Sequence, residues 1–327
     1  MGSTETALTY DDALAVFLTA DASYAGGLAN HGPMAVEALV SIGVPTSIAS
    51  FVEHYRHRLE PATHIVEPAP VDWQAWLAPQ LVQLVPHAAN LAGHGLLRVA
   101  HAVRGIERAE ATGAASLNQR HELAAAVEYW RSGGAGLPSP VALTGAVPIS
   151  EWLGTVEHLP PAERADGLLT LTLAAAADTP GFVNGLERVA ASANPAATLD
   201  LVGLAAADAF ARNQATSAFA LLHGATVSNM ARVLLAHLDE AGQRRLESAV
   251  VGFVAAAVIG FDDGPGAAAR TEDSGDLDVE GLAQAAAATN EDHTIKFADA
   301  CLGLAKRTGS RRPLGALHQQ ITRPYGL

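Results

Sequence analysis

Apolar residues recur along most of the chain at spacings of three and four, the spacing at which side chains share one face of an α-helix. Runs in which apolar and polar residues alternate, as expected of strands, are scarce. Asn30 followed by Pro33 predicts a helix start, and Gly43 predicts its end. We therefore predict an all-α protein. The clearest predicted helices cover 73–85, 87–111, 118–131, 196–211, 216–238, 240–261 and 291–307.

The predicted helices form one large domain over residues 1–327, with an internal polar or metal-binding pocket. A loop at 133–140 is the best candidate for a boundary, but it does not separate regions of different composition. Residues 262–280 are acidic and rich in glycine at their centre. This composition predicts a flexible loop or lid.

The net charge, the length of the apolar runs and the number of cysteines limit which partners and which cellular compartment we expect. The formal net charge is −14, which argues against nucleic acid and anionic membranes as partners. The longest apolar run, 249–261, has about 13 residues, whereas a membrane span needs about 20. Cys301 is the only cysteine, so an intrachain disulfide is impossible and a reducing compartment is favoured. We predict a cytoplasmic protein with a small-molecule partner, and leave its oligomeric state open.

Polar residues form a narrow stripe on the predicted helix 87–111. On a helical wheel Arg98 and His101 lie within about 40° of His94, and most of the remaining surface is apolar. The stripe is either the single solvent-facing edge of the helix or the lining of an internal polar cavity. His94 and His101 are therefore candidate metal ligands, although they lie about 10 Å apart along the helix axis.

Other histidines occur in apolar surroundings. His223 has apolar neighbours one turn away on both sides, so it is either a core imidazole bonded to a carbonyl or a ligand. His31 lies at a helix start, where local capping is the alternative role. His293 and Lys296 are one turn apart on the same face. Burial would favour the neutral amine of Lys296, unless the chain reaches the surface or pairs with a carboxylate.

Histidines far apart in sequence, without cysteine ligands, argue against a structural zinc site. Helical bundles build metal sites from inward-facing side chains on separate helices. Imidazole nitrogen with one oxygen ligand suits redox iron, and copper, nickel and zinc accept it as well. Sequence patterns for dinucleotide-binding, P-loop and serine hydrolase sites are missing.

Four segments resemble the questin oxidase-like family. They are NHGPMAVEALVSIGVP (30–45), HGLLRVAHAVR (94–104) with HELAAAVEYW (121–130), LLHGATVSNMARVLL (221–235) and DHTIKFADACLGLAKRTG (292–309). Members of this family are associated with oxidative cleavage of anthraquinone-type polyketides. One branch comprises non-haem iron dioxygenases with several histidine ligands and a carboxylated lysine.

The resemblance implies specific roles. His31, His94, His223 and His293 would ligate Fe(II), with Lys296 adding a carbamate oxygen and His101 competing with His94. Arg98 would hold a phenolate or carboxylate of the substrate.

The leading hypothesis is an O2-dependent oxygenase that cleaves or oxidises a polycyclic aromatic or quinone. The alternatives are a metal-free, NADPH-dependent Baeyer–Villiger-type oxidase and a non-catalytic helical protein that binds haem or another ligand.

Overall fold

Regular structure in the computed structural model is almost entirely α-helical, which confirms the predicted all-α class. The structure describes residues 8–134, 136–137, 140–164, 169–213, 218–264 and 278–323. The helices in these ranges are α1 (Tyr10–Phe17), α2 (Gly32–Ser41), α3 (Ile48–Tyr55), α4 (Trp73–Leu84), α5 (His94–Glu110), α6 (Leu117–Ser132), α7 (Ile149–Leu153), α8 (Leu169–Ala177), α9 (Pro180–Glu187), α10 (Pro195–Arg212), α11 (Ala218–Leu234), α12 (Glu240–Phe261), α13 (Val279–Ala288), α14 (Asp292–Thr308) and α15 (Arg312–Thr322). Two short antiparallel strands, β1 (Ser23–Tyr24) and β2 (Leu28–Ala29), form a hairpin before α2.

Several helices begin where a side chain caps the free amide groups of the first turn. Asp239 accepts a bond from Gly242 N–H at the start of α12, and Asn194 accepts from two amides of α10. The predicted bounds 240–261 and 196–211 therefore match α12 and α10 closely.

The predicted helix 87–111 is wrong in its first turns. Leu91 and Ala92 have φ of 53° and 55°, Gly93 has φ of 83°, and α5 begins only at His94. Three successive left-handed residues break a right-handed helix. Two of them are not glycine, so the sequence contains no ordinary signal for the break. The polar stripe of α5 therefore begins at His94.

Small side chains let the central helices approach closely. A Cβ placed on Gly224 of α11 would lie 2.9 Å from Cβ of Ala206 in α10. The apolar run 249–261 is buried along α12, where it packs on α10 and α11. One stretch, Phe219–His237, is long and apolar enough to span a membrane, but 72% of its most apolar window is buried within the fold. Its apolarity is therefore used in packing against other helices.

Four helices form a closed circle of contacts in which α2 packs on α5, α5 on α11, α11 on α14 and α14 on α2. Each of the four carries one histidine at or near the centre of this circle: His31 just before α2, His94 at the start of α5, His223 in α11 and His293 near the start of α14. Sites of this kind, with one ligand from each facing helix, are typical of helical bundles.

The described ends of the predicted loop 262–280 are ordered by specific contacts. Asp262 is buried and accepts bonds from Arg212 at 2.6 Å and Asn213 at 2.8 Å. At the other end Asp278 caps α13. Residues 265–277, on which the prediction of a flexible loop or lid depends, lie outside the described residues.

Candidate metal centre

Four imidazole rings meet in the middle of the helix circle. The ring centroids of His31 and His94 are 4.7 Å apart, and those of His94 and His223 are 4.9 Å apart. His293 closes the cluster, at 5.4 Å from His223 and 4.5 Å from His31. His31, His223 and His293 are each no more than 6% exposed. We call these four residues the imidazole cluster.

Every ring of the imidazole cluster is held through Nδ1 by an oxygen acceptor. Nδ1 of His94 donates to the Leu91 carbonyl at 2.5 Å, and Nδ1 of His223 donates to the Phe219 carbonyl at 3.0 Å. For the other two rings the acceptor is a carboxylate oxygen. His31 bonds Asp292, and His293 bonds Glu291 at 3.0 Å.

These bonds determine where the lone pairs of neutral rings point. A carbonyl or carboxylate oxygen accepts only, so Nδ1 carries the proton and Nε2 of a neutral ring carries a lone pair. The Nε2 atoms of His94 and His223 lie 3.2 Å apart, so two lone pairs face each other. Nε2 of His31 and of His293 is buried and has no partner among the described residues. This arrangement calls for a shared cation or bridging protons.

The spacing fits two ligands of one metal ion. Metal–imidazole bonds are about 2.1 Å long, so two nitrogens at tetrahedral or right angles on one ion are roughly 3.0–3.4 Å apart. The 3.2 Å between Nε2 of His94 and of His223 lies inside this range. Ligand atoms of His31, His94 and His293 also all lie within 4.8 Å of one another. The buried, unpartnered nitrogens therefore suit a cation.

The electrostatics keep most of the cluster neutral. Burial, with the neighbouring Lys296, lowers the pKa of His31 to about 3 despite Asp292. Burial and the adjoining imidazoles also hold the pKa of His94 and His223 well below the ordinary value. Burial opposes charge on His293, but Asp292 outweighs it and raises that pKa. Three of the four rings are thus neutral near neutral pH, with a free lone pair on Nε2, and this is the form that binds metal.

Asp292 was not among the predicted site residues, because an acid at a helix start is explained by the helix dipole alone. It is 2% exposed, bonds Nδ1 of His31, and has its Oδ1 3.3 Å from Nδ1 of His293. Burial would raise its pKa, but the two imidazoles hold it well below the ordinary value. A carboxylate that orients histidine ligands in this way increases their basicity. Its position beside a histidine was the only signal in the sequence.

Lys296 lies on the same face of α14 as His293 and is 2% exposed. Its Nζ has no partner among the described residues, so it neither reaches the surface nor pairs with Asp292 or Asp299. Burial lowers its pKa to about 8, against the opposing effect of Asp292 and Glu291. The amine of Lys296 is therefore unprotonated far more often at neutral pH than the amine of an ordinary lysine.

The structure does not bring His101 into the imidazole cluster. Its Nδ1 bonds the carboxylate of Glu37 at 2.6 Å, and its buried Nε2 has no partner among the described residues. Glu37 is fully buried and also accepts bonds from Arg104 and Arg108. Burial would raise the pKa of Glu37, but Arg104 and His101 lower it, so it stays ionised. A lone acid on the apolar face of α2 was the signal for this network.

Most of the guanidinium group of Arg98 is paired with Glu122. Its Nε and Nη2 bond the two carboxylate oxygens of Glu122 at 2.6 and 2.8 Å, and both side chains are buried. This bidentate pair ties α5 to α6. Only Nη1, which is buried and has no partner among the described residues, remains for the predicted contact with a substrate anion.

The left-handed turn before α5 positions His94. Because Leu91, Ala92 and Gly93 reverse the chain, the Leu91 carbonyl points back to Nδ1 of His94. The turn is also packed tightly, since a Cβ on Gly93 would lie 2.5 Å from Cγ2 of Val227. Left-handed residues other than glycine cost about 1–2 kcal/mol each and are concentrated at functional sites.

Histidines outside the imidazole cluster have other partners. For example, His64 pairs with Glu128 on the surface, and His237 pairs with Glu107. Comparison with protein family models, with curated proteins and with solved structures finds no match for the chain.

Proposed function

We propose that the protein is a non-haem, Fe(II)-dependent oxygenase that uses the imidazole cluster as its metal centre. The observation that carries the proposal is the 3.2 Å approach of two Nε2 atoms, His94 and His223, whose protons are held on Nδ1 by carbonyl oxygens. Without a cation or a bridging proton two buried lone pairs repel at this distance. With a metal they become neighbouring ligands.

Side chains of the protein hold the site in place in the absence of a metal. His31, His94, His223 and His293 would hold the ion through Nε2. The anchors on Nδ1 fix the four rings, and Asp292 offsets part of the positive charge. A bound iron would supply the ability to activate O2, which amino-acid side chains lack.

Lys296 would supply an oxygen ligand as its carbamate. Its neutral nitrogen attacks CO2, a C–N bond forms, and the displaced proton passes to solvent. The pKa of about 8 supports this step, because only the unprotonated amine reacts. The starts of α2, α5 and α14 also converge here, and the positive ends of helix dipoles favour an added anion.

The proposed substrate is a polycyclic aromatic or quinone, with O2 as co-substrate. The resemblance of four sequence segments to ring-cleaving oxygenases supports this class. Apolar neighbours of the cluster support oxygen chemistry, since Phe219 lies 4.8 Å from His223 and 4.5 Å from His293, centroid to centroid. Such packing excludes water from the site and would protect a reactive oxygen species.

The two alternatives fit the site less well. A metal-free NADPH-dependent oxidase would not account for the close approach of the Nε2 atoms of His94 and His223. A haem needs a porphyrin plane between or beside its axial histidines. Four imidazoles with centroids 4.5–5.4 Å apart around a closed circuit leave no space for that plane between them.

Metal analysis and oxygen labelling together test the proposal. Protein purified without added metal should contain close to one equivalent of iron by plasma mass spectrometry. With hydroxyanthraquinones as probes, it should consume O2 and incorporate oxygen from ¹⁸O2 into the product. A chelator and the substitution His223→Ala should each abolish both results.

The matched control is His64→Ala, which removes a surface histidine outside the imidazole cluster. This variant should retain iron and activity. Protein that contains no metal, or that oxidises the probe equally well after chelation, would refute the proposed mechanism. Carbamate formation is tested separately with ¹³C-bicarbonate, which should label the wild type and leave Lys296→Met unlabelled in the carbon-13 spectrum.

A further inference from the structure

A cavity of about 720 Å³ opens beside the second half of α14, away from the imidazole cluster. It lies between the end of α2, the turn at 309–311 and the start of α15, and we call it the α14 pocket. Asp299 is six residues after His293, and Gly303 is ten residues after it. At 1.5 Å per residue the pocket therefore begins roughly 9 Å from the cluster and extends beyond it.

The pocket combines apolar walls with a polar floor. Ile42, Leu302 and Leu314 contribute the apolar surface. The floor contains Arg104 and Asp299, joined by bonds of 2.9 and 3.1 Å. This mixture, and a volume within the ~300–1,000 Å³ of small-molecule sites, is characteristic of a ligand pocket.

The charge of the lining is mainly positive. Four basic side chains line the pocket, against the single carboxylate of Asp299; they are Arg104, Lys306, Arg307 and Arg311. The contrast with the rest of the chain is large, because residues 300–327 contain no Asp or Glu in a protein of net charge −14. Glu37 and Asp200, which lie outside the lining, offset part of this charge, and the remaining excess of positive charge favours an anionic ligand.

One of these cations is available to a ligand. Arg104 pairs with Glu37 and Asp299, and Arg307 pairs with Asp200. Lys306 is exposed and has no ion-pair partner among the described residues.

From this arrangement we propose that the α14 pocket is a second ligand site, separate from the metal centre, which binds an organic anion. The ligand carries a carboxylate, sulfonate or phenolate that pairs with Lys306, and its apolar ring system lies against Ile42, Leu302 and Leu314. The proposal depends on the pocket alone, so it stands whether or not the imidazole cluster binds iron.

Two fluorescent probes with the same ring system test the site in the full chain. Anilinonaphthalene sulfonate carries an anion, and N-phenylnaphthylamine lacks it. The anionic probe should bind with a stoichiometry of one, and more tightly than the neutral probe by about two- to five-fold, the range of an exposed ion pair. Added salt should reduce this difference.

Two variants locate the binding. Ala305→Trp fills the pocket and should abolish binding of both probes. Lys306→Glu, at an exposed position that tolerates change, should weaken the anionic probe at least two-fold and leave the neutral probe unchanged. Arg131→Glu makes the same charge change in the last turn of α6 and is the matched control.

Three results would overturn the proposal. They are equal affinity of the wild type for both probes, unchanged binding in Ala305→Trp, and an effect of Arg131→Glu as large as that of Lys306→Glu. Circular dichroism checks that each variant is folded. If Ala305→Trp does not fold, the effect of Lys306→Glu on binding of the anionic probe decides whether the proposal stands.

Discussion

Loss of one imidazole should remove most of the metal-dependent stability of the protein. A ligand that binds only the native state, at 100 times its Kd, stabilises that state by about 2.7 kcal/mol. The unfolding entropy of a 327-residue chain is about 0.7 kcal/mol/K near its midpoint. Fe(II) at this excess should therefore raise the Tm of the wild type by about 4 °C.

His223→Ala removes the nitrogen that lies 3.2 Å from Nε2 of His94. Loss of even an indirect partner of a metal ligand weakens affinity about 10–100-fold, and a direct ligand should reach at least the upper value. The same Fe(II) concentration is then close to Kd, where stabilisation is about 0.4 kcal/mol. The expected rise in Tm is below about 1 °C.

Anoxic differential scanning calorimetry, with and without Fe(II), measures the rise in Tm for the wild type and for the variant. Comparing the two rises removes any effect of the substitution on the metal-free fold. His64→Ala, which alters a surface ion pair, should keep the full rise. If His223→Ala retained the wild-type increment, the ring of His223 would not be a ligand. If the wild type itself showed no increment, the reasoning from facing lone pairs would fail.

Further predictions concern the surroundings of the cluster. Asp292→Asn should weaken metal binding about 10–100-fold in calorimetric titration, because the carboxylate orients His31. Gly93→Ala should lower the free energy of unfolding by at least about 1 kcal/mol in urea melts, since φ is 83° and its Cβ would meet Val227. In the metal-free protein, unfolding free energy should fall as pH drops below about 6.5, by up to about 1.4 kcal/mol per unit for each buried neutral histidine.

The sign of the pH effect follows from His31, whose pKa is about 3 in the folded state and near 6.5 when unfolded. Between these values the unfolded chain binds a proton that the folded chain does not, so acid favours unfolding; above 6.5 the effect ends. His293 acts in the opposite sense, since its raised pKa gives stability below 6.5 that is lost at higher pH. A metal-free protein equally stable at pH 5 and 7 would contradict buried neutral rings.

Matched variants separate the other two effects. Glu128→Gln removes a carboxylate from a surface histidine and should leave metal affinity unchanged. Gly113→Ala changes a glycine with open space around it and should alter stability little. Full metal affinity in Asp292→Asn, or wild-type stability in Gly93→Ala, would contradict the roles given to Asp292 and to the left-handed turn.

Periodicity and capping chemistry sufficed to predict the long helices. The bounds 240–261 are those of α12, because Asp239 caps the first turn and an apolar run continues the helix to Phe261. The start of α5 could not be predicted, since Leu91 and Ala92 adopt conformations that their own chemistry disfavours. Packing against Val227, which is distant in sequence, maintains that turn together with the local bond between Leu91 and His94.

The candidate site was predictable in part. Burial of His223, His293 and Lys296 follows from their apolar helix faces. The sequence does not show which of these polar atoms come together, because the site is formed by helices that are far apart in the chain. The wheel of α5 placed His94 and His101 on one stripe, but it could not show that Glu37 holds His101 elsewhere.

The closed circle of α2, α5, α11 and α14 has a consequence for how the protein matures. His94 and His223 are 129 residues apart, and His31 and Asp292 are 261 apart. Contacts of such long range form late in folding. Synthesis must therefore pass residue 293 before the last imidazole can join the others. If the proposed metal binds, it would link these distant segments and stabilise the native state, so the metal supply would affect how much newly made protein resists degradation.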